Sequence, residues 1–330
     1  MSRQGQPQEP TVSNIKEFWE REAQEIGRTP QVTIRDHYFR VHELHTLVAL
    51  VPTSESLLDV GCGTGLGTLA LARKAKSSVG MDYSGEMIVW AQRVAQDEKY
   101  RLELENQFLP LWALSRTFSS VEFRQGDILN LPKFEQSFDV VTGQRILINL
   151  PSDDLHLEAL RSLHTVSNVG ATLVLVEATR QGHERTDEFR QEFGLPALEK
   201  YWHNHYVDES RTNEWEASGW KVEQALGFET YTLLSKVIYP ASIGQENCSF
   251  LSGANRAAME CACLARSSAA VDEMGLSNLL QMYIERVFLY EPKVAPVIKE
   301  WVAANLPRLT LAPGLGHQKL FIARAVDISD

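Results

Sequence analysis

From Leu57 to Gly65 the chain reads Leu-Leu-Asp-Val-Gly-Cys-Gly-Thr-Gly, and this stretch constrains the fold more than any other. Two apolar residues lead into an acidic one, and glycine then recurs at alternate positions. The pattern is that of a buried strand entering a tight turn free of side chains, where a ligand approaches backbone that any Cβ would block. A glycine turn after a first strand is a general feature of nucleotide sites in doubly wound sheets. Asp59 narrows the choice. A carboxylate repels a diphosphate and attracts an amine or a sulfonium.

The surrounding pattern agrees with an α/β fold. Apolar runs predict strands over 56–60, 77–81, 121–124, 138–142, 171–177, 221–226 and 319–326. Helical periodicity predicts helices over 13–25, 36–51, 66–74, 86–97, 153–166 and 208–218, with Ser13 able to cap the first and Asn168-Val169-Gly170 stopping the fifth. Residues 99–119 form a longer, aromatic-containing excursion. The stretch 229–313 is mostly helical, clearest at 255–268, 276–290 and 294–305. A strand returning after that block needs a sheet to join, which favours an insertion before the last strand over a separate C-terminal domain.

The 330 residues are 44% hydrophobic, ample for a packed core. A net charge of -11 lacks the basic footprint of a nucleic-acid binder, and Lys/Arg clusters for an anionic membrane surface are missing. No apolar run approaches the roughly 18 residues of a membrane span, and residues 1–14 read as a polar tail without a signal core. The expectation is a cytoplasmic chain. Cys62, Cys248, Cys261 and Cys263 are expected as buried or partly buried thiols rather than a disulfide framework or a metal site.

The Leu57–Gly65 stretch resembles motif I of the class I S-adenosylmethionine-dependent methyltransferases. The resemblance continues in register at Gly80-Met81-Asp82-Tyr83-Ser84-Gly85-Glu86-Met87, at Gly126-Asp127-Ile128, at Ser137-Phe138-Asp139-Val140-Val141 and in the Asn168-Val169-Gly170-Ala171 turn. It covers about residues 38–228 and the final strand. A dinucleotide dehydrogenase would want G-x-G-x-x-G, and Leu66 stands where its last glycine belongs.

The resemblance implies a Rossmann-like, seven-stranded, mostly parallel sheet. Its parts are a tail (1–14), an N-terminal helical lid (15–52), a cofactor-binding core (53–228), a helical cap (229–316) inserted before the last strand, and that strand (317–330). It also implies S-adenosylmethionine as methyl donor, leaving S-adenosylhomocysteine. Gly61, Gly63 and Gly65 would pass beneath the methionine part of the cofactor, and Asp59 would organise that turn and offset the ligand's positive charge. Asp82 would accept the ribose hydroxyls. Met87 and Ile128 would flank the adenine, Asp127 would take its amino group, and Tyr83 and Gln144 would be further cofactor-binding residues. Each has a plain alternative: a helix cap for Asp82, an ordinary turn for Asp127, core packing for Met87 and Ile128.

Three positions bear on the methyl acceptor. Arg145 either binds an anionic group or forms a salt bridge. His203 and His205, in Tyr-Trp-His-Asn-His-Tyr (201–206), are candidate general bases, since the acceptor loses a proton as it attacks and histidine has a suitable pKa. Tyr38 and Arg40 either close the site or pack in the core. The expected reaction is in-line methyl transfer to O or N of a small polar molecule such as a sugar, amino-acid derivative or secondary metabolite. A protein or peptide methyltransferase and a non-catalytic cofactor-binding subunit are the alternatives. No metal, nucleic acid or membrane partner is expected, and a homodimer stays open.

Overall fold

The structure is a computed structural model that describes residues 9–27, 32–97, 120–267, 271–311 and 314–328. Seven strands form one sheet: β1 (Ser54–Val60), β2 (Ala75–Asp82), β3 (Ser120–Gln125), β4 (Phe138–Gln144), β5 (Ser167–Ala178), β6 (Trp220–Gly227) and β7 (Gln318–Ala325). Their order is β3-β2-β1-β4-β5-β7-β6. Neighbours among β1 to β5 pair parallel, while β7 lies antiparallel between β5 and β6. In the centre, Leu57, Leu58 and Val60 of β1 and Leu173 to Val176 of β5 are buried, as strands covered on both faces require.

Helices α1 (Val12–Ile26) and α2 (His37–Leu50) precede the sheet. α1 starts earlier than expected, inside the 1–14 segment read as a tail. Its cap is Thr11 rather than Ser13, because the Thr11 hydroxyl accepts from Asn14 N–H while Asn14 Oδ1 accepts from Thr11 N–H at 2.8 Å. α2 is buried on every side, polar Arg40, His42, Glu43 and Thr46 included. It is sandwiched between the sheet and the helices that precede β7, as a helix without an exposed face must be.

α3 (Leu66–Leu71), α4 (Gly85–Gln96), α5 (Asp153–Thr165) and α6 (Arg180–Glu192) alternate with the strands. Sequence reading missed α6, whose predominantly polar residues show no apolar stripe; a Thr179 side-chain cap starts it. Two expected elements differ. Residues 209–218 form a 3-10 helix, and its buried residues Trp215 and Ser218 are three apart, the period of that helix. The Asn168-Val169-Gly170 turn does not end α5, which closes at Val166. It lies inside β5, where Gly170 takes φ 75 and the register with β4 shifts. The 99–119 excursion falls outside the described residues.

Between β6 and β7 the chain runs Glu229–Thr232, a π-helical stretch Leu233–Ile238, Tyr239–Ile243, then α7 (Gly253–Ser267), α8 (Val271–Tyr290) and α9 (Ala295–Asn305). This block packs on α2: Phe39 meets Phe228 and Tyr231 at ring distances of 5.0 and 5.5 Å, and His42 meets Cys263. All four cysteines are free thiols, with Cys248 only partly buried.

Trp220 is fully buried and donates its indole N–H to Leu160 O at 2.8 Å, joining β6 to α5. Trp220→Ala is expected to cost about 3–5 kcal/mol. In urea unfolding the midpoint should fall with little change of slope; an unchanged midpoint would contradict this packing role.

Candidate active site

A cavity of about 600 Å³ opens over the carboxyl ends of β1, β2, β4 and β5, beneath α1, the 194–206 segment and the π-helical stretch. The site is built from the ends of those strands.

The glycine turn leaves β1 with Gly61, Gly63 and Gly65 all in the left-handed region, at φ 65, 54 and 81. Gly63 N–H donates to Asp82 Oδ2 at 2.9 Å, and Ser84 N–H donates to Oδ1 at 3.0 Å. The turn after β1 and the turn after β2 are thus tied through one carboxylate. Burial pushes the Asp82 carboxyl up to about 6 against those two donors. Gly61, Gly63, Asp82, Tyr83 and Met87 all line the cavity.

The third glycine and the preceding acid do not. Gly65 caps α3, and a Cβ there would stand 2.7 Å from Phe123 Cζ; its absence serves packing. Asp59 is buried below the turn and accepts from Thr68 Oγ1 at 2.6 Å and Thr142 Oγ1 at 2.8 Å. It organises the turn, and burial raises its pKa. Asp127 also stands off the cavity, where it ion-pairs with Lys16 of α1 and accepts from Leu129 N–H at 3.0 Å. Ile128 packs in the core with Met81 and Phe138, the plain alternative for that residue. Tyr83 lines the cavity with its hydroxyl on Lys16 O at 3.0 Å, so two contacts from the turns hold α1 over the site.

At the end of β4, Gln144 and Arg145 both line the cavity. Arg145 takes φ 57, alone among the described non-glycine residues. Its guanidinium ion-pairs with Glu43, which is fully buried and also holds Arg40 at 2.6 Å. Arg40 in turn reaches Gln144 Oε1. The salt bridge read as one alternative for Arg145 is present, but it is buried rather than on the surface, and it braces the loop. Arg40 lies beneath the wall rather than across the mouth, and Tyr38 is not part of the wall either.

Sequence reading also missed Glu177. Fully buried at the end of β5, it accepts from Ile146, Leu147 and Ile148 N–H at 2.9, 3.0 and 3.2 Å. The three donors pin the strained turn after Arg145 in place. An acid closing an otherwise apolar strand was the available signal.

The two candidate histidines separate. His203 is buried in the cavity wall, stacked on Phe18 at 4.5 Å and on Tyr201 at 5.7 Å, with Trp19 edge-on at 5.4 Å. His205 points elsewhere: its Nε2 meets Asp153 Oδ1 at 2.9 Å, and it does not line the cavity. In a regular extended segment positions 203 and 205 would share a face; the turn at Trp202 and His203, closed by Asn204 N–H donating to Tyr201 O at 3.1 Å, breaks that alternation.

Comparison with known proteins places residues 58–175 in a family described as a methyltransferase domain. A demethylmenaquinone methyltransferase of Lactobacillus johnsonii is 26% identical over 133 residues, 39% of this chain and 46% of that protein. One from Staphylococcus epidermidis is 31% identical over 146 residues, 43% of this chain and 50% of that protein. The chain spans about half the length of the curated relatives it matches. Among solved structures, the [4+2]-cyclase SpnF aligns over 98% of this chain and 99% of its own, with 17% identity and a TM-score of 0.46.

Burial holds the Glu177 carboxyl up to about 7 against a usual 4.5. A raised carboxyl contributes stability that is present below the unfolded-chain value and lost as pH rises through the folded one. Glu177→Gln removes that titration. The stability of the wild type relative to the variant is expected to decline as pH rises from about 4 to about 8, measured by urea unfolding. A pH-independent difference would show that Glu177 does not titrate in this way.

Proposed function

We propose, on the match of residues 58–175 to a methyltransferase domain, that the chain is a class I S-adenosylmethionine-dependent enzyme that transfers a methyl group from S-adenosylmethionine to a small molecule held in the cavity. The observation that carries the reading is Asp82. Its carboxylate is buried, faces the cavity and is fixed by two backbone donors with lone pairs to spare, which suits it to accept two ribose hydroxyls. Gly61 and Gly63 present backbone without side chains beside it.

When bound, the cofactor supplies a sulfonium methyl as electrophile. The chain's residues then position and desolvate the acceptor. Gln144 and the braced turn at Arg145 define the floor between donor and acceptor. Phe18, Trp19 and Tyr201 wall the acceptor side and suit the face of a cation. His203, set among them, takes the proton that the acceptor loses. Asp127 and Ile128 stand off the cavity and support its adenine side indirectly, through the ion pair to Lys16 of α1 and through the core.

A cavity partly covered by α1, the 194–206 segment and the π-helical stretch supports a small acceptor over a protein chain, which would need an open groove. Its aromatic walls favour a flat, partly apolar body over the wholly polar molecule expected from sequence. The relatives named for demethylmenaquinone accord with that shape.

Two experiments test the reading. Calorimetry with S-adenosylhomocysteine is expected to show binding that Asp82→Ala weakens by roughly tenfold to a hundredfold, the worth of one or two charge-assisted hydrogen bonds. Because the carboxyl sits up to about 6 and its ionised form accepts both hydroxyls, wild-type affinity should climb as pH rises through that value and then level off. No heat with either form of the cofactor would sink the proposal. Once an acceptor is in hand, His203→Gln should lower kcat by about a hundredfold or more with cofactor binding kept, while His205→Gln retains turnover. Full turnover in His203→Gln removes it as the base.

A further inference from the structure

The polar groups that the cofactor reading leaves unused gather at one end of the cavity: His183, His317 and Gln318 line it there. Backbone pairing places them. Thr179 N–H donates to His317 O at 2.6 Å, Gln318 pairs with Ala178 at the end of β5, and on the other side of β5 Arg145 N–H donates to Val176 O at 2.7 Å. His317 therefore stands at the same end of the sheet as Gln144 and Arg145, two strands further along and across β5.

His317 and His183 are 6.3 Å apart with rings nearly perpendicular, and His183 Nε2 is turned to Asp187 at 3.3 Å. Nδ1 of His317 and Oε1 of Gln318 are sealed inside the protein without a hydrogen-bond partner. His317 as a whole keeps partial exposure, so the Nε2 edge of its ring is the polar edge it presents to the cavity. Burial, with the positive charge of Lys236 adding to it, holds the imidazole neutral, its pKa pushed down to about 3. Lys236 is itself paired with Asp36, and the rings of Phe228, Tyr231 and Phe250 form the rest of this wall.

Lys236 and Arg145 are each paired with a carboxylate, Asp36 and Glu43, and the imidazole beside them is neutral. It suits a hydroxyl, which can both donate to and accept from the ring. The rings of Phe228, Tyr231 and Phe250 around it suit a flat body that carries this hydroxyl. We propose that His317 anchors the acceptor through such a group, so that the acceptor is a phenol or an enol with a flat apolar body. This rests on the methyltransferase reading above. His317 is a specificity residue in it, distinct from the base His203.

The test uses the full chain loaded with S-adenosylhomocysteine and the probe para-nitrophenol, with para-nitroanisole as the partner lacking the hydroxyl. Wild type is expected to bind the phenol saturably and at least about tenfold more tightly than the ether. His317→Ala should erase that preference by weakening the phenol alone, and His317→Gln, which keeps a donor and an acceptor, should restore part of it. Should the alanine variant fail to fold, the glutamine variant is compared with His317→Leu. Equal binding of phenol and ether by wild type, or equal loss of both in the variants, overturns the proposal. So does a chain that binds S-adenosylhomocysteine and not the phenol. Absence of cofactor binding would instead overturn the methyltransferase reading beneath it.

Discussion

Four carboxylates buried at one edge of the sheet hold the cavity in shape. Asp59, Asp82, Glu177 and Glu43 come from β1, β2, β5 and α2, and each has its charge met by donors that could be supplied nowhere else. Two threonine hydroxyls serve Asp59, two backbone amides serve Asp82, three serve Glu177, and two guanidiniums serve Glu43. Moving a carboxylate out of water costs several kcal/mol unless it is paired this fully. The donors are loop backbone and neighbouring strand ends, so the requirement that they be satisfied fixes the loops. A carboxylate without its loop would be an uncompensated buried charge, and a loop without its carboxylate would leave buried N–H groups unpaired.

This arrangement also accounts for the strain at Arg145. A positive φ at a residue with a Cβ is unfavourable and persists where the surroundings over-determine it. Here they do so from two sides. Glu177 gathers the three amides that follow Arg145, and Glu43 takes its guanidinium. The result directs the floor of the cavity upward between β4 and β5, beside the glycine turn.

What could be read from the chain before folding was whatever depends on neighbours in sequence. The turn glycines, the acid closing β2 and the apolar runs are local patterns, and they mark the seven strands; the antiparallel setting of β7 between β5 and β6 is a pairing that no local pattern carries. The buried supports are different in kind. Glu43 answers Arg145 from 102 positions away and Lys16 answers Asp127 from 111. No spacing announces such a pair. The divergence of His203 from His205 was hidden in another way: alternation would put the two on one face, and the turn closed by Asn204 N–H on Tyr201 O, with the stacking of Phe18 from α1, separates them. α6 was unreadable for a further reason, since its polar sequence hides a helix started by one threonine cap.

The position of the helical block within the chain has a consequence for recognition. Had the block followed the last strand, its far end would be free, and nothing would tie it to the cavity. Inserted before β7, it leaves β6 at one edge of the cavity and must return to the middle of the sheet, because β7 pairs on both sides. The return point is the turn that carries His317, clamped by Thr179 N–H. Asp36 fastens the other side: as the cap of α2 it accepts from Phe39 N–H and, across the cavity, from Tyr231 at 2.7 Å and Lys236. The lid and the block are therefore joined to each other as well as to the sheet. The glycine turn and Asp82 thus belong to the sheet, while α1, the 194–206 segment and the inserted block supply the walls above them. On the proposed reading those walls meet the acceptor, and His317 stands where the block returns to the sheet.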